Sequence, residues 1–546
     1  MATRHLYSIG NCERHKFAFP KALTLTLLIV FSLTSVAAQE IPTAMMPLHV
    51  ETPVALMPSA TRAELEARLS SALQHRVDSK QWFGAEEQHI HVGVHFDIKT
   101  GLLQVDLGEA LGRLSNGPEM EDLQEDLQGT ASMLLEGVAP YKGMELRYGG
   151  RTMYDYFPEE WRPPRPITTK GMSAFILPAP PVMVSAGHGV YYNHQYKDWR
   201  AQRDPSNGIV EDYITPTYAN ELATWLTKRS EVDIISPRST DVQPHNPSGM
   251  PWWKIGARYH LEALYPDNPN IWHSKPSDTT TSLRERTEDI YSRPLLANHI
   301  GVAAALHLHT NAAAPSATGT KVFFQKGRIE DKHLADSVLC SMKELIQAQE
   351  NYKNYKVPVE SDEGDYAENR LAHMPSIIIE VGFHTNPDDA VALQDKTFRT
   401  ASMKGVEKGY RLFAEGKTCE PLSIESANNS PHPDDKLSTV ALDYKGHPEF
   451  PARLDIKVLS CPAGACSDGW ITLAEPIPSP VSYDITCDVS APREFQLRTT
   501  FTDADGVKAA IEHTATCLPA SQGRSPSAAV EAKAHDGAFQ MPQVSD

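Results

Sequence analysis

The sequence contains no long block of lysine and arginine residues, and its acidic residues outnumber its basic ones. The 546 residues carry a formal net charge of −18. Proteins that hold nucleic acid through phosphate contacts depend on clustered positive charge, so this balance argues against a nucleic-acid partner. It also provides no basic surface for an anionic membrane. The hydrophobic content of 41% and the charged content of 22% are typical of a globular protein in water.

Apolar stretches of about 20 residues, the length needed to span a membrane, are also missing. A shorter apolar run over residues 23–33 follows basic residues and precedes small residues that end at Ala38. This order predicts a secretory signal peptide over residues 1–38. A retained N-terminal anchor is the alternative, although the run is short for a spanning helix. We therefore expect a periplasmic or secreted protein with no membrane span after signal removal.

Cysteine is scarce, with seven residues in the chain. Cys12 lies in the predicted signal peptide, and an even number of cysteines in the remaining exported chain predicts three disulfides. Six cysteines allow fifteen pairings, and the sequence does not choose among them. The alternative is that some cysteines stay free and buried. The pairing that we favour is Cys461–Cys466, Cys487–Cys517 and Cys340–Cys419.

The order of predicted elements divides the mature chain into three folded segments joined by linkers. Two helices, a β-hairpin and a further strand predict a small α+β domain over residues 60–156. Closely spaced prolines predict a linker over residues 157–180. A second linker over residues 419–440 precedes short alternating segments, which predict a small all-β, sandwich-like domain over residues 441–518. The composition of residues 519–546 predicts a disordered tail.

Residues 181–418 alternate between predicted strands and helices, and several of the strands are almost continuously apolar. This pattern predicts an α/β domain with a mostly parallel sheet covered by helices. Residues 242–285 do not fit the pattern and are interpreted as an insertion, either a structural excursion or a lid that faces substrate. The aromatic rings of Trp252, Trp253 and Trp272 could stack on sugars there or simply pack the insertion.

Polar residues end the apolar strands of this α/β segment. Ligands collect at the carboxyl ends of strands in such sheets. His188 and His309 follow two of the strands, Glu380 follows three buried isoleucines, and Glu211 precedes the helix after the first strand. Two imidazoles and one carboxylate suit a catalytic zinc ion and leave a position for water, while a second carboxylate can take the proton of that water.

Each of these residues also has an ordinary structural interpretation. A histidine at a strand end often makes a hydrogen bond and binds nothing, and Glu211 could be an acid favoured by the helix dipole. Glu380 is harder to explain in this way, because a carboxylate directly after a buried apolar run is costly unless it is paired or functional.

The middle of the chain resembles the zinc-dependent N-acetylmuramoyl-L-alanine amidases of the amidase type 3 family over about residues 181–416. Four motifs carry the resemblance in the family's order: VSAGHG, GIVEDYITPTYANELA, ALHLHTNA and MPSIIIEVGFHTNPDDA. In that family a Gly-His-Gly opens the domain and a Glu heads the next helix. A Ser-x-His-x-Asn motif follows, and Glu-x-Gly-Phe-x-x-Asn closes the site.

The resemblance implies one Zn²⁺ held by His188, Glu211 and His309, with Glu380 as general acid and base. It also implies a substrate, the peptidoglycan amide bond between N-acetylmuramic acid and L-alanine, and a helix-covered sheet. A catalytically silent homologue that binds the wall or recruits a partner is the alternative. Such a homologue usually lacks one of the four residues, and all four are present here. The resemblance also allows a regulatory partner protein, which the sequence does not identify.

Two departures from the family pattern leave alternatives. The spacing between His188 and the glutamate is longer than usual, which makes Glu221 a rival to Glu211. His307 stands where the family has serine, and it shares a strand face with His309. His307 is therefore interpreted as a supporting residue, a substitute ligand or a packed side chain. Two motif asparagines, Asn311 and Asn386, are predicted to orient loops or substrate.

Overall fold

The computed structural model describes residues 62–80, 89–161, 180–275, 281–461 and 466–520. The predicted signal peptide, most of the proline-rich linker and nearly all of the predicted tail lie outside these residues. Among the helices of the described part, none combines the length and the apolar character that crossing a membrane requires.

The helices and strands are numbered in chain order. The helices are α1 (Arg62–Asp78), α2 (Pro118–Leu135), α3 (Met153–Tyr156), α4 (Glu211–Trp225), α5 (Ala257–Leu264), α6 (Ser282–Ile300), α7 (Ile329–Gln347), α8 (Ala367–Arg370), α9 (Pro387–Gln394) and α10 (Lys396–Ala414). The strands of the first two thirds are β1 (Gly93–Asp97), β2 (Leu102–Asp106), β3 (Gly143–Arg147), β4 (Val182–Ala186), β5 (Tyr191–Asn193), β6 (Asp198–Arg200), β7 (Ile234–Ile235), β8 (Ala305–Asn311), β9 (Lys321–Gln325), β10 (Asp362–Gly364) and β11 (Ser376–Phe383). The remaining strands are β12 (Ser423–His432), β13 (Leu437–Lys445), β14 (Ala452–Ser460), β15 (Gly469–Leu473), β16 (Val481–Thr486), β17 (Arg493–Thr502) and β18 (Lys508–Cys517).

A nine-stranded sheet in the order β1-β2-β3-β10-β9-β11-β8-β4-β7 forms the centre of the described structure. Its pairs are parallel except for β1 with β2 and β11 with β9. Every residue of β8 and of β11 is buried. Helices α4, α7 and α10 pack on one face of the sheet, and α6 packs on the other. These near-continuous apolar strands follow from burial on both faces, and the predicted helix-covered, mostly parallel sheet is confirmed.

The predicted α+β segment over residues 60–156 extends this same sheet. Its hairpin and third strand form as β1, β2 and β3, with their own apolar core beneath α1 and α2. Strand β3 joins the rest of the sheet at one residue pair, Gly143 opposite Glu363 of β10. The segment is therefore continuous in hydrogen bonding with the α/β part, and its division into a separate domain stays a prediction.

Helix α6 is an element that the sequence pattern does not indicate. Its first residues fall in the predicted insertion 242–285, and the strand that follows it, β8, begins at Ala305. The helix buries charged residues that pair with each other, such as Arg293 with Asp289 at 2.6 Å. An apolar stripe is weak in such a helix, so hydrophobic periodicity cannot reveal it.

The C-terminal strands form two further sheets, β12-β13-β16 and β15-β14-β17-β18, around a shared apolar core. The predicted all-β character is confirmed. The structure differs from the predicted linker over residues 419–440, because β12 occupies residues 423–432 and pairs along its length with β13. Strand β12 is mostly polar, which explains why its sequence resembles a linker. The three predicted disulfides are confirmed as Cys340–Cys419, Cys461–Cys466 and Cys487–Cys517.

Candidate metal centre

Three parallel strands bring the predicted site residues to one edge of the central sheet. Strand β8 lies between β4 and β11. Glu380 of β11 is directly opposite His309 of β8 in the parallel register. His188 follows the end of β4 by two residues, and β4 pairs with β8 up to Ala186 opposite Leu308. The carboxyl ends of the strands therefore place all three side chains together.

The glycines around His188 have distinct geometric roles. His188 itself has a φ of 53°, in the left-handed region, and Gly189 has a φ of 131°. A Cβ atom on Gly187 would lie 2.5 Å from the ring of His309. Gly187 therefore leaves room for the second histidine, and Gly189 adopts a backbone conformation that L side chains disfavour. The Gly-His-Gly motif is thus needed to bring the two imidazoles together.

His188, Glu211 and His309 form a cluster of potential metal ligands. Nδ1 of His309 lies 3.1 Å from Oε1 of Glu211 and 3.2 Å from Nε2 of His188. Nε2 of His188 lies 3.3 Å from the same carboxylate oxygen. The three side chains belong to residues that are only 3%, 2% and 7% exposed, in chain order. Three donor atoms thus converge on one point in a buried environment.

Glu211 is placed by the first turn of α4. The backbone N–H of Thr310 donates to its Oε1 at 3.0 Å, and Nε of Arg203 lies 3.4 Å from its Oε2. Burial raises the pKa of Glu211, but the neighbouring His188, His309 and Arg203 lower it by more, so the net pKa is well below the ordinary value. The rival Glu221 instead pairs with Arg399 of α10 at 2.8 Å. The structure therefore places Glu211 in the cluster and Glu221 outside it.

A second carboxylate, Glu368 of α8, contacts both histidines of β8. Its Oε2 accepts a hydrogen bond from Nε2 of His309 at 2.9 Å, and its Oε1 lies 3.0 Å from Nδ1 of His307. Burial raises the pKa of Glu368, but His307, His309 and Arg293 lower it by more. The net pKa is therefore well below the ordinary value. Nothing in the sequence pattern points to Glu368, because it lies in a polar stretch, DYAENRLA, without helix or strand periodicity.

His307 is buried beside the cluster without being one of its three converging residues. Neither of its ring nitrogens has a hydrogen-bond partner among the described residues. Its Nδ1 faces Glu368, on the side of His309 away from Glu211. These contacts favour the interpretation of His307 as a supporting residue over that of a substitute ligand.

Glu380 is buried next to the cluster, and its Oε2 has no hydrogen-bond partner in the described part of the chain. Burial raises the pKa of Glu380 to about 8, with the charge of Glu211 adding to the rise and His309 opposing it. Glu125 of α2 is a neighbour of Glu380, and its pKa is also raised, by burial and by the charge of Glu380. Burial and the neighbouring charge therefore favour the protonated form of both carboxyls in the metal-free protein.

Helix α2 lies across this edge of the sheet and closes the site from outside. Asp122 of α2 pairs with Arg203 and, at 2.8 Å, with Arg286 of α6. A Cβ atom on Gly129 of α2 would lie 2.7 Å from Cβ of Ala313, which shows how closely the helix approaches the loop after β8. The acidic residues of α2 could not be recognised from the sequence, because charged residues on a helix usually face solvent. Arg203 lies in the loop between β6 and α4, where the sequence has no periodic pattern.

The two motif asparagines lie in the loops that border the cluster. Oδ1 of Asn386 caps α9 by accepting from the backbone N–H groups of Asp388 and Asp389, and its Nδ2 donates to the carbonyl of Pro315 at 2.8 Å. Asn311 ends β8, and its backbone carbonyl accepts from the N–H of His384 at 3.0 Å. Both contacts connect the loop after β8 to the turn after β11.

The donor set fits a zinc ion. Two imidazole nitrogens and one carboxylate oxygen that lie within 4.8 Å of one another match the ligands of catalytic zinc sites, which keep a further position open. The buried, unbonded oxygen of Glu380 is the group that such a site needs to accept a proton from water. The arrangement is thus suited to metal-assisted hydrolysis.

Comparison with known proteins identifies the segment that carries this cluster. Residues 182–410 match the family model of N-acetylmuramoyl-L-alanine amidase. No match is found among curated proteins.

Solved structures with a similar segment include three amidases. The CwlD amidase of Clostridioides difficile, solved in complex with the GerS lipoprotein, is 15% identical, with a TM-score of 0.30, over 44% of this chain and 100% of its own. AmiC2 of Nostoc punctiforme is 16% identical, with a TM-score of 0.28, over 43% of this chain and 96% of its own. Ami1 of Mycobacterium smegmatis is 13% identical, with a TM-score of 0.30, over 44% of this chain and 99% of its own. By the family match, residues 182–410 of this chain are similar to the N-acetylmuramoyl-L-alanine amidases.

Proposed function

We propose that this protein is a zinc-dependent hydrolase that cleaves the amide bond between N-acetylmuramic acid and L-alanine in peptidoglycan. The observation that carries the proposal is the convergence of His188, Glu211 and His309 beside the unbonded carboxyl oxygen of Glu380. Similarity to the amidase family supports the choice of bond. Because peptidoglycan lies outside the cytoplasm, the proposal agrees with the predicted signal peptide and a periplasmic or secreted location.

His188, Glu211 and His309 would hold the ion. A bound zinc ion would polarise the scissile carbonyl and make water acidic enough to lose a proton near neutral pH. Glu380 accepts that proton as the water oxygen attacks the carbonyl carbon. It then delivers the proton to the amine nitrogen of L-alanine as the C–N bond breaks. A nearby divalent cation favours the ionised form of Glu380, which this first step requires.

The test is hydrolysis of intact peptidoglycan sacculi by the protein that lacks residues 1–38, with and without a chelator. We expect released stem peptides with an N-terminal L-alanine, detected by mass spectrometry, abolished by the chelator and restored by zinc. The matched control is Glu380→Gln, which should retain zinc and lose hydrolysis. Loss of zinc from this variant would instead make Glu380 a ligand.

A catalytically silent, wall-binding protein is the second candidate. The position of α2 over the site supports this candidate, because a covered site would not admit substrate. The two candidates differ in one measurement. An enzyme held closed by α2 should release peptides once the contact of α2 with Ala313 is loosened. A silent homologue should bind zinc and sacculi without releasing peptides in any such variant.

A further inference from the structure

Glu368 is a buried carboxylate close to the metal cluster that the proposed chemistry does not use. It belongs to α8, a short helix directly before β11, and is 3% exposed. Its Oε2 is 2.9 Å from Nε2 of His309, while Nδ1 of the same ring faces Glu211 and His188. His309 therefore lies between two carboxylates, one on each ring nitrogen.

Once Glu211 and Nδ1 of His309 hold a metal ion, this placement decides which nitrogen of His309 carries the proton. An ionised carboxylate only accepts hydrogen bonds, so Nε2 must donate its hydrogen to Glu368. A neutral imidazole with a proton on Nε2 has its lone pair on Nδ1. That lone pair is directed at the point where His188 and Glu211 also converge. The hydrogen bond to Glu368 thus selects both the tautomer and the ring orientation that a metal ligand needs.

Glu368 has two neighbours at its other oxygen, one of which forms a hydrogen bond with it. Nη1 of Arg293 donates to Oε1 at 2.7 Å, and Nδ1 of His307 lies 3.0 Å from the same atom. The second terminal nitrogen of Arg293 donates to the backbone carbonyl of His188 at 3.1 Å. Arg293 therefore connects the carboxylate behind one histidine to the backbone of the other. A carboxylate whose only task was to neutralise Arg293 would need no contact with Nε2 of His309.

We propose that Glu368 is a positioning residue that holds His309 with Nε2 protonated and Nδ1 directed at the metal. The inference rests on the proposed zinc site. Carboxylates behind metal-bound histidines typically account for about 10- to 100-fold in metal affinity. The hydrogen bond from Arg293 restricts the carboxylate to the orientation that this role requires.

The test measures metal binding by the full chain with Glu368→Ala and Glu368→Gln. Zinc affinity is measured by competition with a chromophoric chelator, and the visible absorption spectrum is recorded after loading with Co²⁺. We expect one ion per chain in each protein. Glu368→Ala should weaken zinc binding by about 10- to 100-fold and change the cobalt spectrum. Glu368→Gln should recover much of both, because its amide oxygen still accepts from Nε2.

The control is Glu407→Gln, which alters an equally buried carboxylate of α10 that pairs with Arg411. It should change neither the zinc affinity nor the cobalt spectrum. If Glu368→Ala lowers the melting temperature but leaves the metal affinity and spectrum as in wild type, Glu368 is only a structural ion-pair partner and the inference is wrong.

A further variant covers the case in which Glu368→Ala does not fold. Glu368→Met keeps the length of the side chain and removes the acceptor, so equal zinc affinities of the Met and Gln variants would overturn the inference. A wild-type protein that binds neither metal would overturn it together with the zinc site. Bound metal without peptidoglycan hydrolysis would contradict only the proposed function.

Discussion

At the scale of single residues, the two histidines of β8 lie on the same side of the strand but have different neighbours. Nδ1 of His309 faces Glu211 and His188, whereas the nearest charged group to His307 is Glu368. We expect His309→Ala to lose most of the bound zinc and His307→Ala to retain one ion per chain, as measured by metal analysis after dialysis. The opposite result would make His307 the ligand.

A second residue-scale prediction concerns the neighbouring carboxyls of Glu380 and Glu125. The pKa of Glu380 rises from its ordinary 4.5 to about 8 in the folded, metal-free protein. Between these values the folded state holds a proton that the unfolded state releases, so the free energy of unfolding should fall as pH rises from 4.5 to 8. The slope for one proton is at most about 1.4 kcal/mol per pH unit.

Denaturant unfolding of the metal-free protein at several pH values measures this slope. Glu380→Gln should flatten it, because the variant has no group to titrate at that position. Glu221→Gln, which alters a carboxylate on the far side of α4, should leave the slope as in wild type. Equal slopes for wild type and Glu380→Gln would show that the pair is not the source of the pH dependence.

Some residues of this site can be predicted from the sequence and others cannot, for physical reasons. His188 lies just after β4, and His309 and Glu380 follow apolar residues within β8 and β11, so each of these polar residues contrasts with its apolar neighbours. Glu368 and Arg203 lie in polar stretches that provide no such contrast. Their roles depend on contacts between residues far apart in the chain, which no local pattern encodes.

At the scale of elements, helix α2 is packed too closely to accept even one extra carbon at Gly129. An alanine inside a helix is ordinarily more stable than glycine by about 0.5–1 kcal/mol. At this position, however, the added Cβ would lie 2.7 Å from Cβ of Ala313. We therefore expect Gly129→Ala to loosen α2, speed amide hydrogen exchange along it and increase the rate of peptidoglycan hydrolysis.

Gly93→Ala in β1 is the matched control for this change. A Cβ on Gly93 would have its nearest neighbour at 3.6 Å, an ordinary contact distance, so neither exchange in α2 nor hydrolysis should change. If Gly129→Ala exchanges as slowly as wild type and hydrolyses at the same rate, α2 does not limit access to the site.

Elements differ in how clearly their sequences predict them. Strands β8 and β11 are buried on both faces, and the apolar runs at residues 302–306 and 377–379 make them recognisable. Helix α6 buries paired charges and β12 is mostly polar, so neither shows the periodicity on which prediction depends. Elements stabilised mainly by polar contacts are therefore the ones that hydrophobic periodicity does not predict.

At the scale of the whole molecule, the disulfide Cys340–Cys419 joins α7 to the segment that leads into the β-sheets of the C-terminal part. It closes a loop with a sequence separation of 79. The chain-entropy estimate for a loop of this length is about 4 kcal/mol. We expect the double variant Cys340→Ser/Cys419→Ser to lose a few kcal/mol of unfolding free energy, measured by denaturant unfolding under oxidising conditions.

The disulfide Cys461–Cys466 provides the comparison, because its sequence separation is only 5. Its removal should cost clearly less, since a short loop has little entropy to lose on closure. Equal losses for the two double variants would mean that loop closure is not the main source of stabilisation.

The junction between β3 and β10 also bears on how the molecule resists association with copies of itself. A sheet that ended at β10 would present an edge strand of only three residues, Asp362–Gly364, two of which are acidic. Short, charged edge strands are poor templates for pairing with another chain. The α/β part is therefore protected against edge-to-edge aggregation on this side, even before the N-terminal strands have joined the sheet.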